Sequence, residues 1–338
     1  MAHPTNVKAA WTKPGFRVAL VGAIDAATST TMEHILLDTN TDAIWPHPSK
    51  DLVHHGISAN GAPFRTAQDV TLGRVEPSFT VECPLTTRSL LILGGSLLQD
   101  ENHDGSTGYS MQVYDAAAKS IADMFMNCEA GIAGAATAVY QVQGAIVRTL
   151  RVTAPPVGPD LGKIMLSAEI IAANSTPTTA YTAGSPTLDP GTPQLSSGYS
   201  MTLNINGAGA AVFEHVSFDL TATNNAEKGL NAGATPDHMS LGEFSATGNI
   251  SVVFTSAADS TDGFKAMDTA HRSKHTTEIL LSIGSHHNFL LDALIGKPTM
   301  SRQGNVFVAQ FPFEAVYVDA NSFRIGVDSD TDIVNWGT

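Results

Sequence analysis

The sequence predicts a mainly β protein built as two tandem antiparallel β-sandwich or barrel domains, each with a short flanking α-helix, plus extended arms. Three observations predict it. Apolar and polar residues alternate at period two through most of the patterned segments. Helical patterns are few and short. A Pro-, Thr- and Ser-rich stretch, 173–197, divides the 338 residues nearly in half, and similar segments recur in the same order on either side of it.

The strands come first. Ile164, Leu166, Ala168 and Ile170 alternate with Met165, Ser167, Glu169 and Ile171; Met201, Leu203 and Ile205 alternate with polar neighbours. Val216, Phe218 and Leu220 do the same, and Phe307, Ala309, Phe311 and Phe313 form one face of a longer run. Successive strand side chains point to opposite faces, so such segments read as half-buried strands. Three segments read as helices: Thr86–Leu98, opened by Thr and Ser caps and weakened by Gly94-Gly95; Ala116–Cys128, with Ile121, Met124, Phe125 and Cys128 on one face; and a turn or two over Gly263–His271. Helices this sparse fit sheets with a helix packed on one side.

Residues 173–197 carry Pro177, Pro186, Pro190 and Pro193 and almost no large apolar side chain, the signature of a linker or long arm. The chain accordingly divides into a first β domain over 1–172, with insertions near 41–71 and 100–137, the 173–197 arm, and a second β domain over 198–338. Gly15–Leu20 matches Gly198–Leu203, and Glu33–Asp38 matches Glu214–Asp219. Leu72-Gly73 before the strand ending at Cys83 matches Leu241-Gly242 before the one ending at Phe254. Each half closes on a Gly-led strand, Gly162–Ala172 and Gly304–Val318.

Charged residues make up 15% of the chain, against about 25% in ordinary soluble domains. That fits a surface covered by partners, or equally a neutral Thr/Ser-rich one. The formal charge of −14 argues against a nucleic-acid reader, which needs clustered Lys and Arg, and against docking on an anionic membrane. The first 30 residues lack the layout of a secretory leader and no apolar run reaches membrane-spanning length, so synthesis in the cytosol is expected, with any export by another route. Cys83 and Cys128 read as buried small hydrophobes.

Motifs for catalysis are absent: there is no G-x-S-x-G, H-E-x-x-H or C-x-x-C. Gly162-Lys163-Ile164 lacks the rest of a phosphate loop, and Gly207-Ala208-Gly209 reads as a hairpin turn. Asp100, Asn102 and Asp104 resemble the start of a calcium loop, but Met111 stands where the bidentate Glu belongs, so a polar turn is expected. Adjacent His54-His55 and His286-His287 would point to opposite faces of a strand, which suits exposed or interface histidines better than a shared metal. Asp328, Asp330 and Asp332 read as a solvated acidic turn or a contact between subunits. Trp11, Trp45 and Trp336, outside the core strands, read as subunit anchors or local packing. No catalytic, cofactor or metal residue is assigned.

The stretch FEHVSFDLTATNNAEKG (213–229), the strands of MSLGEFSATGNISVVF (239–254) and the helix near 263–270 together resemble the tail tube proteins of long-tailed (siphovirus-like) bacteriophages, in the version where one chain carries two tube domains. The resemblance covers most of 15–327, with the first half departing more through its 41–71 segment and inserted helix. It implies a non-enzymatic structural virion protein located in the tail. The subunit would form stacked rings, trimeric and pseudo-hexameric, that make the conduit for viral DNA. It implies self-association, partners such as tape measure, tail terminator and distal tail proteins, and DNA that passes without specific binding. Sheet edges of neighbouring domains would pair into an inner barrel, and head-to-tail stacking would grow a filament. A ligand- or carbohydrate-binding β-sandwich module of a viral or cell-surface structure is the competing expectation. The low aromatic content, 7%, weighs against it.

Overall fold

Alternation in sequence becomes alternation in burial: along Ser217–Thr223 every second residue (Phe218, Leu220, Ala222) is buried and those between are half-buried. The computed structural model describes residues 14–21, 32–35, 37, 46, 48–54, 70–99, 103–104, 108–112, 125–132, 139–155, 163–178, 201–205, 208–211, 217–229, 238–254, 263–273, 275–284, 286–303, 305–319 and 322–328. In chain order the elements are β1 (Pro14–Val21), β2 (Glu33–Ile35), β3 (Pro48–His54), β4 (Val70–Pro84), α1 (Thr87–Leu98), β5 (His103–Asp104), β6 (Gly108–Gln112), β7 (Phe125–Ile132), β8 (Val139–Ala154) and β9 (Met165–Thr178). They continue with β10 (Met201–Ile205), β11 (Ala208–Ala211), β12 (Ser217–Thr223), β13 (Glu227–Gly229), β14 (His238–Ser240), β15 (Ser245–Val253), α2 (Gly263–Ser273), β16 (Thr277–Ile283), β17 (His287–Ile295), β18 (Thr299–Gln303), β19 (Val306–Ala315) and β20 (Phe323–Asp328). The chain is mainly β, and its ladders are antiparallel.

The ladders follow one order twice. In the first half it is β2–β1–β7–β8–β9–β4–β3. In the second it is β11–β10–β16–β17–β19–β15–β12. Each helix sits between equivalent strands, α1 between β4 and β7 and α2 between β15 and β16. The matches Gly15–Leu20 with Gly198–Leu203 and Gly162–Ala172 with Gly304–Val318 fall on β1 and β10 and on β9 and β19, which hold corresponding places in the two orders; Gly162, Gly198 and Gly304 themselves lie outside the described residues. The match at Glu33/Glu214 has no such correspondence: Glu33–Ile35 ladders with β1, whereas Ser217–Thr223 ladders with β15 and β8. Two further ladders join the halves: β8 with β12, and β6 with β20.

The helix α1 is buried along its whole length, Arg88 included, as a helix apolar on most sides must be. Thr86 caps it: its hydroxyl accepts from the Ser89 N–H at 3.1 Å, and the Ser89 hydroxyl accepts from the Thr86 N–H at 3.0 Å. Gln99 ends it in the left-handed conformation, φ 53°. The Ser96 hydroxyl accepts from the Val147 N–H at 3.1 Å, tying the helix to β8. The helix α2 is amphipathic: Met267 and Ala270 are buried, and Phe264 stacks edge-on to Phe254.

Three expectations are corrected. The helix placed over Ala116–Cys128 is strand from Phe125 on, and 116–124 lie outside the described residues. β7 lies between β1 and β8 and is buried on both faces (Phe125, Met126, Asn127, Cys128, Glu129, Ala130), so it loses the alternation that marks a half-buried strand. The arm placed over 173–197 is strand up to Thr178, laddered on β8 through Thr178↔Val139; 179–197 lie outside the described residues. Thr, Ser and Pro hide that strand because its outer face does not need apolar side chains. Within 41–71, residues 48–54 form β3 on β4, and 55–69 are not described.

Candidate functional surface

Seven strand segments stand side by side without a break, in the order β4–β9–β8–β12–β15–β19–β18. This ribbon crosses from one half of the chain to the other at β8–β12, where Leu150 faces Ala222, Val152 faces Leu220 and Ala154 faces Phe218. These six side chains are all buried. One face of the ribbon therefore belongs to the core. Successive residues alternate sides, so the other face carries the residues in between.

Those residues form cross-strand rows. One row reads Glu82, Ser167, Arg151, Thr221, Thr247, Glu314, and the next Thr80, Glu169, Thr149, Thr223, Ser245. A third runs through Thr153, Asp219 and Asn249, and a fourth through Ser217, Ser251, Gln310 and Thr299. Hydroxyls and amides dominate. The Thr223 hydroxyl bonds that of Thr149 at 3.3 Å. Arg151 stands 3.8 Å from Asp219, and Arg148, at a register shift in β8, stands 3.9 Å from Glu169. Cations on this face are thus set beside carboxylates, in pairs too exposed to add much stability.

The residues singled out by sequence fall elsewhere. Cys83 and Cys128 are free and fully buried, and burial pushes the Cys83 thiol up to about 12 and the Cys128 thiol higher still. His287 departs from the expected exposed or interface histidine: it is 2% exposed, packed within the chain with its Nε2 3.2 Å from the Thr87 hydroxyl. Burial, with His286 beside it, lowers its pKa to about 4. The two rings of His286 and His287 lie 6.5 Å apart at 65°. Of the calcium-like turn, His103-Asp104 is β5 and Asp100 and Asn102 are outside the described residues, as are His55, Asp330, Asp332, Trp11, Trp45 and Trp336. Among the described residues no group of three or more His, Cys, Asp or Glu is placed to hold a metal ion, and no helix is long and apolar enough to cross a membrane. β10 and β11 pair antiparallel, and Gly207 between them lies outside the described residues.

A cavity of about 380 Å³ opens beside the end of α1, lined by Leu97, Leu98, Asn224, Phe244, Tyr317 and Phe323 among others. Its lining is mostly apolar. The extended polar face and its strand edges, which sequence reading did not locate, are the larger feature. Only the register between distant strands assembles them.

The chain thus presents an antiparallel β architecture with a repeated strand order and a broad hydroxyl-rich face, that of a structural β protein. A family model described as phage tail tube protein matches residues 57–315, well over half of the chain, and the match runs through both halves. The chain belongs to the phage tail tube protein family, a structural component of the virion tail. No curated protein matches it.

Proposed function

We propose that the chain is the major tail tube subunit, and that three copies form a pseudo-hexameric ring in which each contributes two tube domains, 1–172 and 198–338. The rings stack head to tail, and the polar face of the β4–β18 ribbon lines the conduit for viral DNA. The repeated strand order carries this reading, because the β8–β12 ladder is then an interface between two like domains fused in one chain. The hydroxyl-rich face suits passage of DNA. Each Lys or Arg that pairs with phosphate releases counterions and adds affinity, whereas hydroxyls and carboxylate-paired arginines give the backbone little to hold.

The chain assembles with itself in the host cytoplasm, and its rings meet tape measure, tail terminator and distal tail proteins at the tube's length and ends. No cofactor or metal enters. Electron microscopy of the purified chain tests this. Rings or tubes with three chains per layer and six like domains are expected; six chains per layer, or particles that never exceed one chain, would overturn it.

A further inference from the structure

The two halves differ at one edge. In the first half, β8 is covered by β12 beyond the end of β7, so that Leu150 is 1% exposed. In the second half, the matching strand is β17 continued by β18, and among the described residues β18 ladders only with β19. Both hairpins carry a one-residue register shift. It lies between Val147 and Thr149 in β8 against β9, and between Ile295 and Thr299 where β17 passes into β18 against β19. Aligning the first pairs past the shift, Thr149↔Glu169 with Thr299↔Gln310, sets Thr299 against Thr149, Met300 against Leu150 and Ser301 against Arg151.

Burial marks the missing neighbour. Met300 is 50% exposed where Leu150 is covered, and Phe307 is 53% exposed where Leu166, its counterpart one strand over, is fully buried. An apolar pair on the core-side face of an open strand edge is what remains when the covering strand belongs to another molecule.

The strand that stands to β4 as β12 stands to β15 is β3, and it ladders only with β4 among the described residues. The register follows from the strand pairs. Glu169 faces Thr80 and Gln310 faces Ser251, so Thr80 corresponds to Ser251 and, four residues earlier on each strand, Glu76 to Thr247. Glu76 faces Ser49 and Thr247 faces Thr221, so Ser49 corresponds to Thr221. Within the chain Thr221 faces Arg151.

We infer that β18 of one copy pairs antiparallel with β3 of the next, with Ser301 opposite Ser49, repeating between chains the ladder that β8 and β12 make within one. The inference rests on the ring-forming reading and deepens it by naming the two edges and their register. The contact is head-to-tail, so every chain offers one β18 and one β3, and the ring closes without a free edge.

The experiment combines Ser49→Cys and Ser301→Cys in the full chain, with mild oxidation or a short bismaleimide after assembly. The native thiols are buried. Cross-linked dimers and trimers are expected on non-reducing gels from the double variant and not from either single one, and Met300→Pro, whose lost N–H faces away from β19, is expected to block ring formation while leaving the folded monomer's circular dichroism unchanged. Rings seen by microscopy without a 49–301 cross-link would overturn this pairing but leave the tube reading intact. A chain that forms no ring at all would overturn both.

Discussion

The side-chain amide of Asn224 donates to the backbone carbonyl of Val147 at 2.8 Å, at the register shift of β8, and also to the carbonyl of Leu97 at 3.0 Å, in the last turn of α1. Asn224 directly follows β12, so one buried amide from the second half fastens the helix and the long strand of the first. Its Oδ1 accepts from the Ala226 N–H at 3.1 Å, which leaves little of its bonding capacity unused.

Asn224→Ala strands two buried carbonyls and is expected to destabilise the monomer by about 1–3 kcal/mol. Asn224→Asp brings a carboxylate against two carbonyl oxygens and should cost more at neutral pH. Urea denaturation of the two variants against wild type checks the order; a loss no greater than that of a surface substitution would show the clamp to be idle.

His287 makes stability depend on pH. Its folded pKa, about 4, lies below the ordinary value of 6.5, so below pH 6.5 the unfolded chain takes up a proton that the folded one does not. Its contribution is therefore complete above pH 6.5 and lost as the pH falls to about 4, by about 3 kcal/mol in all. His287→Gln should flatten the stability curve between pH 7 and 4. Parallel curves for variant and wild type would refute the assignment.

Cys83 and Cys128 should resist modification by a thiol reagent in the native protein at pH 8 and react together when it unfolds, because burial holds both as neutral thiols. A colorimetric thiol count with and without denaturant measures this. One thiol reacting promptly in native buffer would place it at the surface.

Gly248 sits between Leu220 and Phe313 in the ladder, and a methyl group there would meet the Asp219 carbonyl and the Phe313 ring. Gly248→Ala is expected to cost at least about 1–3 kcal/mol, since backbone must move to admit it. Thermal unfolding checks this, and an unchanged melting temperature would mean that the strands have room to part.

Thr221→Lys and Thr247→Lys place cations in adjacent positions of one polar row. If that face lines the conduit, tubes should still form but retain DNA, with retention that falls steeply as salt rises. The checks are DNA co-sedimentation with tubes at low and high salt and the speed of genome release from reconstituted particles. Unaltered binding and release would move the face out of the lumen.

The sequence by itself determined the elements whose pattern is local. Alternating burial in β10, β12, the first half of β9 and β19 from Ala309 on follows from alternating residues, and the Thr86–Ser89 box and the stripe of α2 announce their helices. The order of segments in the two halves was legible in part, at β1 with β10 and β9 with β19 but not at Glu33 with Glu214. Tertiary structure decided the rest. β7 reads as a helix because both its faces are buried, and the end of β9 reads as a linker because its outer face is polar. The polar rows and the open edge of β18 depend on which strands lie side by side. Pairing between strands distant in the chain is set by the packing of whole sheets, so no local pattern of residues could show that Thr221 faces Arg151 or that Met300 lacks the neighbour Leu150 has.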